Sequence, residues 1–347
     1  MLVSIIVPCR NESDFIDRFI YNVLEQEIPP DDEIEILIAD GASDDGTREQ
    51  LEKLAAQDDR LVILDNPSQI VSAGLNLAIR RSTGEVVVRL DVHTEYASDY
   101  VAQCCAALRE TGADNVGGPW VARGAGEVAT AIAQVFGNRW VSGGGKAHDP
   151  NYEGYLDAVY LGCWRRETLE TLGGFDDSLV RGQDSELNFR IVLAGGGVWQ
   201  TPKIRSWYRP RSSVRDLFRQ YLQYGYWKVA ALKKHGRTAS LRQLVPALFV
   251  SGLAILTLSG LVWQPALTTL AASVLWYTGV TLAIGCNTCW RNGCVRLIRL
   301  MPAVIAAFHF GFGLGYLWGL FDFLLVGRSP SAPLVALTRS PESVKSK

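Results

Sequence analysis

SIIVPCRNE (residues 4–12) and IEILIADGASDDGT (residues 34–47) each run a short apolar stretch into a turn rich in charged and small residues. Residues 3–7 and 34–39 are dominated by Ile, Val and Leu. Residues 61–64 and 86–90 repeat that composition, so all four read as buried strands. Between them, residues 12–26, 47–57 and 72–82 carry apolar side chains at helical spacing. Alternation of this kind predicts an α/β fold with a mostly parallel sheet and helices on both faces. Ligands of such sheets bind beyond the carboxyl ends of the strands, so the residues directly after each strand are where chemistry is expected.

Further along, the Gly-rich residues 112–145 predict long loops around a short strand and helix. Residues 157–164 read as another strand and 166–172 as a short helix ending at Gly173 and Gly174. Residues 184–194 read as a helix whose acidic start suits the positive end of its peptide dipoles.

The 347 residues carry 34 Lys plus Arg and 36 Asp plus Glu, a formal charge of -2. That balance is a cancellation. Residues 1–202 hold 16 basic and 33 acidic side chains, residues 203–242 hold 11 and 1, and residues 243–347 hold 7 and 2. Within residues 244–326 only Arg291, Arg296, Arg299 and Asp322 are charged, too few for a surface in water. The expected organisation is an α/β domain over 1–202, a basic amphipathic interfacial segment over 203–242, a membrane region over 243–327 and a tail over 328–347. Disorder and a small disulfide scaffold are excluded. Cys9, Cys104, Cys105 and Cys163 are scattered as reduced thiols would be, and Cys286, Cys289 and Cys294 have no fourth zinc ligand nearby.

Residues 244–263 and 266–285 are each about 30 Å long as helix, the thickness of a hydrocarbon core, and are expected to span. Residues 300–326 suffice for one tilted span or for an interfacial piece plus a span. Lys233, Lys234, Arg237 and Arg242 precede the first span, and Arg291, Arg296 and Arg299 follow the second, which places both flanks in the cytoplasm. The first twelve residues lack signal-peptide character. The expectation is a multi-pass protein of the cell (inner) membrane with its first domain cytoplasmic. Three complete spans would put the tail outside, yet it carries Arg328, Arg339, Lys345 and Lys347, so a re-entrant or in-plane third segment is the other arrangement. The basic, aromatic pattern of residues 214–234 suits membrane lipids rather than nucleic acid.

Asp40, at the end of the second strand, can accept hydrogen bonds from a uracil or ribose edge. Asp91-Val92-His93 follows the fourth strand, where a divalent cation would neutralise a diphosphate leaving group. Together with LGCWRRETLETLGGFDDSLVRGQDSELNFRI (residues 161–191), these motifs resemble, in order, the family 2 glycosyltransferases. The resemblance covers residues 3 to about 190 and implies a GT-A (Rossmann-like) domain that binds a nucleotide sugar. It implies nucleoside contacts from Pro8, Glu12 and Asp40, a phosphate contact from Arg10, and Asp91 at the donor and its metal. Where the family has Asp-x-Asp, this chain has His93, a candidate ligand beside Asp91 for Mg or Mn. Where the family has Glu-Asp, this chain has Gln183-Asp184. Asp184 matches the base that inverting transfer needs, with Glu186 as a rival.

Arg166 is an acceptor-side candidate. The segment FRQYLQYGYWK (residues 218–228) resembles one that lies at the membrane surface in polysaccharide synthases, which adds Gln220, Tyr224 and Trp227 on the acceptor side. In the last apolar segment, Gly311, Gly315 and Gly319 make a small-residue face for close helix packing, and His309 and Asp322 are polar groups that are either functional candidates or lie at its edges or inside the bundle. The whole arrangement is similar to succinoglycan-type exopolysaccharide glucosyltransferases. That likeness implies inverting transfer of a hexose, glucose from UDP-glucose, to a polyprenyl-linked saccharide acceptor. A polyprenyl-phosphate glycosyltransferase and a non-catalytic nucleotide-sugar-binding membrane scaffold are the alternative readings.

Overall fold

The structure is a computed structural model that describes residues 1–29, 32–237 and 240–335. The chain forms two compact units, one from Met1–Val121 with Lys146–Arg209 and one from Ala122–Gly145 with Pro210 onward.

The first unit contains strands β1 (Leu2–Cys9), β2 (Glu33–Asp40), β3 (Leu61–Asp65), β4 (Val86–Arg89), β5 (Thr94–Tyr96), β6 (Asn115–Gly118) and β7 (Val121–Ala122). These are followed by β8 (Gly154–Tyr155), β9 (Tyr160–Arg165), β10 (Val198–Gln200) and β11 (Ser206–Tyr208). Helices α1 (Ile16–Leu24), α2 (Thr47–Ala55), α3 (Val71–Arg81) and α4 (Tyr100–Thr111) lie between the strands. The main sheet runs β3-β2-β1-β4-β9-β6-β10-β8. The first four strands are mutually parallel, β10 is parallel to β6, and β9 and β8 are antiparallel to their neighbours. The expected mostly parallel sheet is present.

Its two faces follow from the period of two along a strand. Val3, Ile5 and Val7 of β1 join Ile16, Phe19, Ile20 and Val23 of α1 in one fully buried cluster. Ile6, Leu37 and Val87 point the other way, against Leu75, Ala78 and Ile79 of α3. Each such side chain stabilises the fold by about 1.5–3 kcal/mol relative to exposure. The register then decides where chemistry sits: Cys9 lies opposite Asp40 and Ile6 opposite Arg89. The carboxyl ends of β1, β2 and β4 therefore meet at one edge. The basic stretch 203–242 begins inside this unit, because β11 pairs antiparallel with β5 and Arg209 donates its backbone N–H to His93 O at 3.3 Å.

The second unit contains α5 (Glu127–Phe136), which lies within the Gly-rich region 112–145. Two short helices of the first unit come next, α6 (Arg166–Leu172) and α7 (Gln183–Leu193). The second unit resumes with α8 (Val214–His235), α9 (Val245–Ser259), α10 (Gln264–Arg291) and α11 (Met301–Gly319), the last continuing through a π turn, Leu320–Val326. Helix α8 starts where the Ser213 hydroxyl accepts the Asp216 N–H at 3.0 Å and donates to the Asp216 carboxylate at 2.6 Å. It ends at Gly236 in the left-handed conformation that glycine adopts without strain.

Among the described residues, three segments are long and apolar enough to cross a membrane: Leu241–Ser259, Gln264–Arg291 and Val295–Val326. The expected small-residue face of α11 packs on α8. A methyl group on Gly311 would come within 2.8 Å of Phe218 O and one on Gly319 within 2.8 Å of Tyr226 O, while Gly315 abuts the backbone of Leu222.

Candidate active site

The loops after β1 and β2 are tied together by their own polar side chains. Asn11, at φ 55°, takes Ser43 Oγ on its backbone N–H at 2.9 Å and exchanges hydrogen bonds with Asp44. The Glu12 N–H donates to Thr47 Oγ1 at 2.7 Å, and the Ser13 N–H donates to Asp45 at 3.1 Å. Burial pushes the Asp45 carboxyl up, but the Thr47 hydroxyl and the Ser13 and Thr47 N–H groups outweigh it and hold it below its ordinary value. Asp40 is buried at the end of β2 and accepts the Ser43 hydroxyl at 2.5 Å, with Arg48 at 3.8 Å. Arg10 packs its side chain over Gly41, where a methyl group would come within 3.2 Å of it.

The loop after β4 adds the charged centre. The Arg89 guanidinium is buried, and it donates to both oxygens of Asp91, at 2.9 and 3.1 Å, and also to the Asp184 carboxylate. Burial alone would push the guanidinium down. The two carboxylates, Asp184 first, more than reverse that and hold it charged. The backbone of Asp91 is fixed in turn, its N–H donating to Tyr96 OH at 2.7 Å. His93 Nε2 lies 2.7 Å from Glu12 Oε1, and its ring meets Phe15 edge-on.

The structure thus brings Glu12 to His93, and Asp91 to Asp184 through Arg89, at the carboxyl edge. Sequence reasoning missed Arg89. Its only signal was a cation closing an otherwise apolar strand. It also missed the ring stack of His148, Trp120 and Tyr160, with centroids 5.2 Å apart, whose Tyr160 OH is 2.7 Å from Thr94 Oγ1 just after the Asp91 loop.

Glu186, the rival base, is fully buried against Arg190 at 2.8 Å, and the same guanidinium donates to Leu172 O and Gly174 O. Its position serves folding, whereas Asp184 keeps 35% of its side chain exposed. Arg166 is not brought to the site. Its neighbour Arg165 pairs with Val86 at the start of β4, so Arg166 lies at the opposite end of that strand from Asp91, bound to Glu170 and Ser82 O. Gln220, Tyr224 and Trp227 belong to α8. Gln220 donates to Tyr224 OH at 3.0 Å, and the Trp227 indole donates to Leu334 O at 3.0 Å. Asp322 is wholly buried and accepts hydrogen bonds from Tyr226, Arg328 and Ser331, and His309 bridges Tyr277 OH and Val141 O. Both have partners that hold helices and loops in place. Arg339, Lys345 and Lys347 lie outside the described residues.

Among the described residues no three His, Cys, Asp or Glu side chains gather tightly enough to hold a metal by themselves. Two partly exposed donors, Asp91 and His93, do stand two residues apart. A carboxylate and an imidazole are donor types that a divalent cation takes alongside diphosphate oxygens and water; here both Asp91 oxygens are met by Arg89 and His93 Nε2 by Glu12.

The family model for Glycosyl transferase family 2 matches residues 4–165. The succinoglycan biosynthesis protein ExoA of Rhizobium meliloti (strain 1021) is 32% identical over 327 residues, covering 92% of this chain and 95% of that protein. A dolichyl N-acetyl-alpha-D-glucosaminyl phosphate 3-beta-D-2,3-diacetamido-2,3-dideoxy-beta-D-glucuronosyltransferase of Methanococcus voltae is 25% identical, covering 67% of this chain and 74% of that one. Among solved structures, the mannosyltransferase PcManGT of Pyrobaculum calidifontis, in complex with GDP-Man and Mn2+, superposes with a TM-score of 0.59 at 21% identity, covering 88% of this chain and 86% of that one. The family model over residues 4–165, with a relative 32% identical and matched nearly end to end, places the chain in glycosyl transferase family 2.

Proposed function

We propose that this glycosyltransferase moves a hexose, glucose from UDP-glucose, with inversion onto a lipid-linked saccharide in the synthesis of an exopolysaccharide or cell-surface glycan. Its catalytic unit would sit on the cytoplasmic side of the cell membrane. The observation that carries the reading is the Asp91–Arg89–Asp184 bridge, which sets a donor-side carboxylate and a candidate base on two sides of one buried cation. In support, one relative's name places it in succinoglycan biosynthesis and another's names a dolichyl-linked sugar acceptor.

In an inverting transfer the acceptor oxygen attacks the anomeric carbon from the face opposite the nucleotide and must lose its proton as it does so. Asp184 receives that proton. Its place in the first turn of α7, after the left-handed Gly182, aims a carboxylate outward from a rigid element. Arg89 keeps Asp91 and Asp184 from repelling each other and fixes their separation. Asp40, Glu12 and Pro8 form the wall for the nucleoside, and Arg10 serves its phosphates. Asp91 and His93 would hold a divalent cation, Mg or Mn, which when bound neutralises charge on the diphosphate leaving group.

The test incubates membranes containing the chain with radiolabelled UDP-glucose, Mg²⁺ or Mn²⁺ and polyprenyl-linked acceptors. Asp184→Asn is expected to lower transfer by roughly 10²–10⁴-fold, the usual yield of a positioned base. Equal transfer by wild type and variant would sink the assignment. His93→Ala is expected to raise the metal concentration needed for half-maximal rate, and an unchanged metal titration removes His93 from the coordination shell. Absence of transfer with every nucleotide sugar would favour the binding scaffold.

A further inference from the structure

Of the three described segments long and apolar enough to span, the third is packed unlike the other two. About 44% of the most apolar window of Val295–Val326 is covered by protein, against 11% for Leu241–Ser259 and 6% for Gln264–Arg291. The cover comes largely from α8. Gly311, Gly315 and Gly319 of α11 meet Phe218, Leu222 and Tyr226 of α8 in turn, and Gly225 of α8 abuts Phe312 O. Partner numbers rise together, so the two helices run parallel in backbone contact for about two turns. Rings continue the seam at both ends: Tyr221 lies 4.1 Å from Phe308 and Tyr226 lies 4.7 Å from Phe323.

We propose that α8 and α11 form one in-plane pair seated at the interface of an anionic bilayer, that only α9 and α10 cross, and that the chain after α11 returns to the side on which α9 begins. Two helices in parallel backbone contact share one range of depths over that contact. Helix α8 cannot span, because its 22 residues include Arg215, Asp216, Arg219, Lys228, Lys233 and Lys234. Its longest uncharged run, residues 220–227, is about 12 Å of helix against the roughly 30 Å of a hydrocarbon core. Helix α11 is therefore held at the depth of its charged partner.

Two further features agree. The start of α11 is covered by the 122–145 segment, where Glu127 pairs with Arg299 at 2.6 Å, Phe136 meets the Phe308 ring, and Val141 O lies 3.2 Å from His309 Nε2. The chain after α11 is fastened to α8, with Asp322 accepting Tyr226 OH at 2.8 Å, Arg328 at 2.8 Å and Ser331 Oγ at 2.8 Å, and with Trp227 donating to Leu334 O. Residues 328–334 thus lie on a helix that precedes the first span. Leu314 and Trp318 of α11 and Phe321 and Leu325 of the turn after it are exposed, as are Arg215 and Arg219 of α8. An apolar face beside basic residues is the composition that seats a helix at the boundary of headgroups and acyl chains.

The experiment places epitope tags before Met1, at the Gln264-Pro265 link and after Lys347. It labels them with a membrane-impermeant reagent in intact and permeabilised cells. The two terminal tags are expected on one side and the middle tag on the other. Terminal tags on opposite sides would overturn the proposal, since they require an odd number of crossings. A middle tag on the same side as both ends would overturn it too, by removing the α9–α10 hairpin. The terminal pair decides parity without any insertion into the fold. Sidedness is read independently of sugar transfer, so loss of the transferase reading leaves this test standing.

Discussion

Arg89 closes a strand whose residues Val86, Val87 and Val88 are buried, and it is followed by Leu90, also buried. A guanidinium in that setting is stable only if opposite charge meets it, and Asp91 and Asp184 do so from two segments 93 residues apart. Removing it leaves two carboxylates facing each other. Arg89→Met is expected to cost about 2 kcal/mol of stability, less than the ~3–5 of breaking a fully buried pair, because Asp91 and Asp184 keep 32% and 35% of their side chains in water. Transfer should fall about 100-fold or more. Arg89→Lys keeps the charge but not the planar fork that reaches both partners, so it should restore stability more than rate. Thermal unfolding in detergent and the transfer assay measure the two separately. Asp91 and Asp184 were legible in the sequence because a strand end and a helix start each mark their own positions. The bridge between them was not, since no local pattern reports a contact made across the sheet.

At the scale of elements, Glu35 shows how the sheet edge is stitched. Its carboxylate on β2 accepts Ser4 Oγ at 2.6 Å, the Thr83 N–H at 2.6 Å and hydroxyl at 2.9 Å, and the Gly84 N–H at 3.1 Å. Partial burial pushes this carboxyl up, but the four donors outweigh it and leave it below its ordinary value. A carboxyl depressed in the folded state stabilises above the unfolded pKa near 4.5, and that contribution is lost as pH falls through the lower folded value. Glu35→Gln is therefore expected to lower stability by about 1.5 kcal/mol at pH 7 and by progressively less below pH 4. Melting curves across pH 3–7 check it, and a constant deficit would contradict it. Helix packing supplies the second case. Gly315 abuts the backbone of Leu222 with no space for a side chain, so Gly315→Leu should force α8 from α11 at a cost of about 3 kcal/mol or more. Loss of the folded species in size-exclusion chromatography at lower temperature is the expected readout. The four-residue glycine spacing was visible in the sequence, but which helix it receives was not, because α8 lies some 90 residues upstream.

For the whole molecule, the formal charge of -2 conceals an acidic first region and a belt of 11 basic residues over 203–242. Arg215, Arg219, Lys233 and Lys234 are exposed along α8 and suit an anionic surface. Reconstituted chain is expected to transfer several-fold faster in vesicles containing anionic phospholipid than in zwitterionic ones. The advantage should shrink as salt is raised toward 1 M, where the screening length falls to ~3 Å. Equal rates in both lipids at low salt would deny the belt that role.

Composition and period were enough to determine the parallel strands, the edge at which the acidic motifs end up, the apolar helices and the order of those motifs. Each of these depends on neighbours within one element, where spacing is fixed by the strand or helix repeat. Only the tertiary structure decided that Arg89 binds two of the carboxylates, that Glu186 belongs to Arg190, that Arg166 stands at the far end of its strand, and that α11 packs on a charged helix. Those facts come from contacts between segments far apart in the chain, and such contacts are set by sheet register and helix packing, which no local pattern encodes.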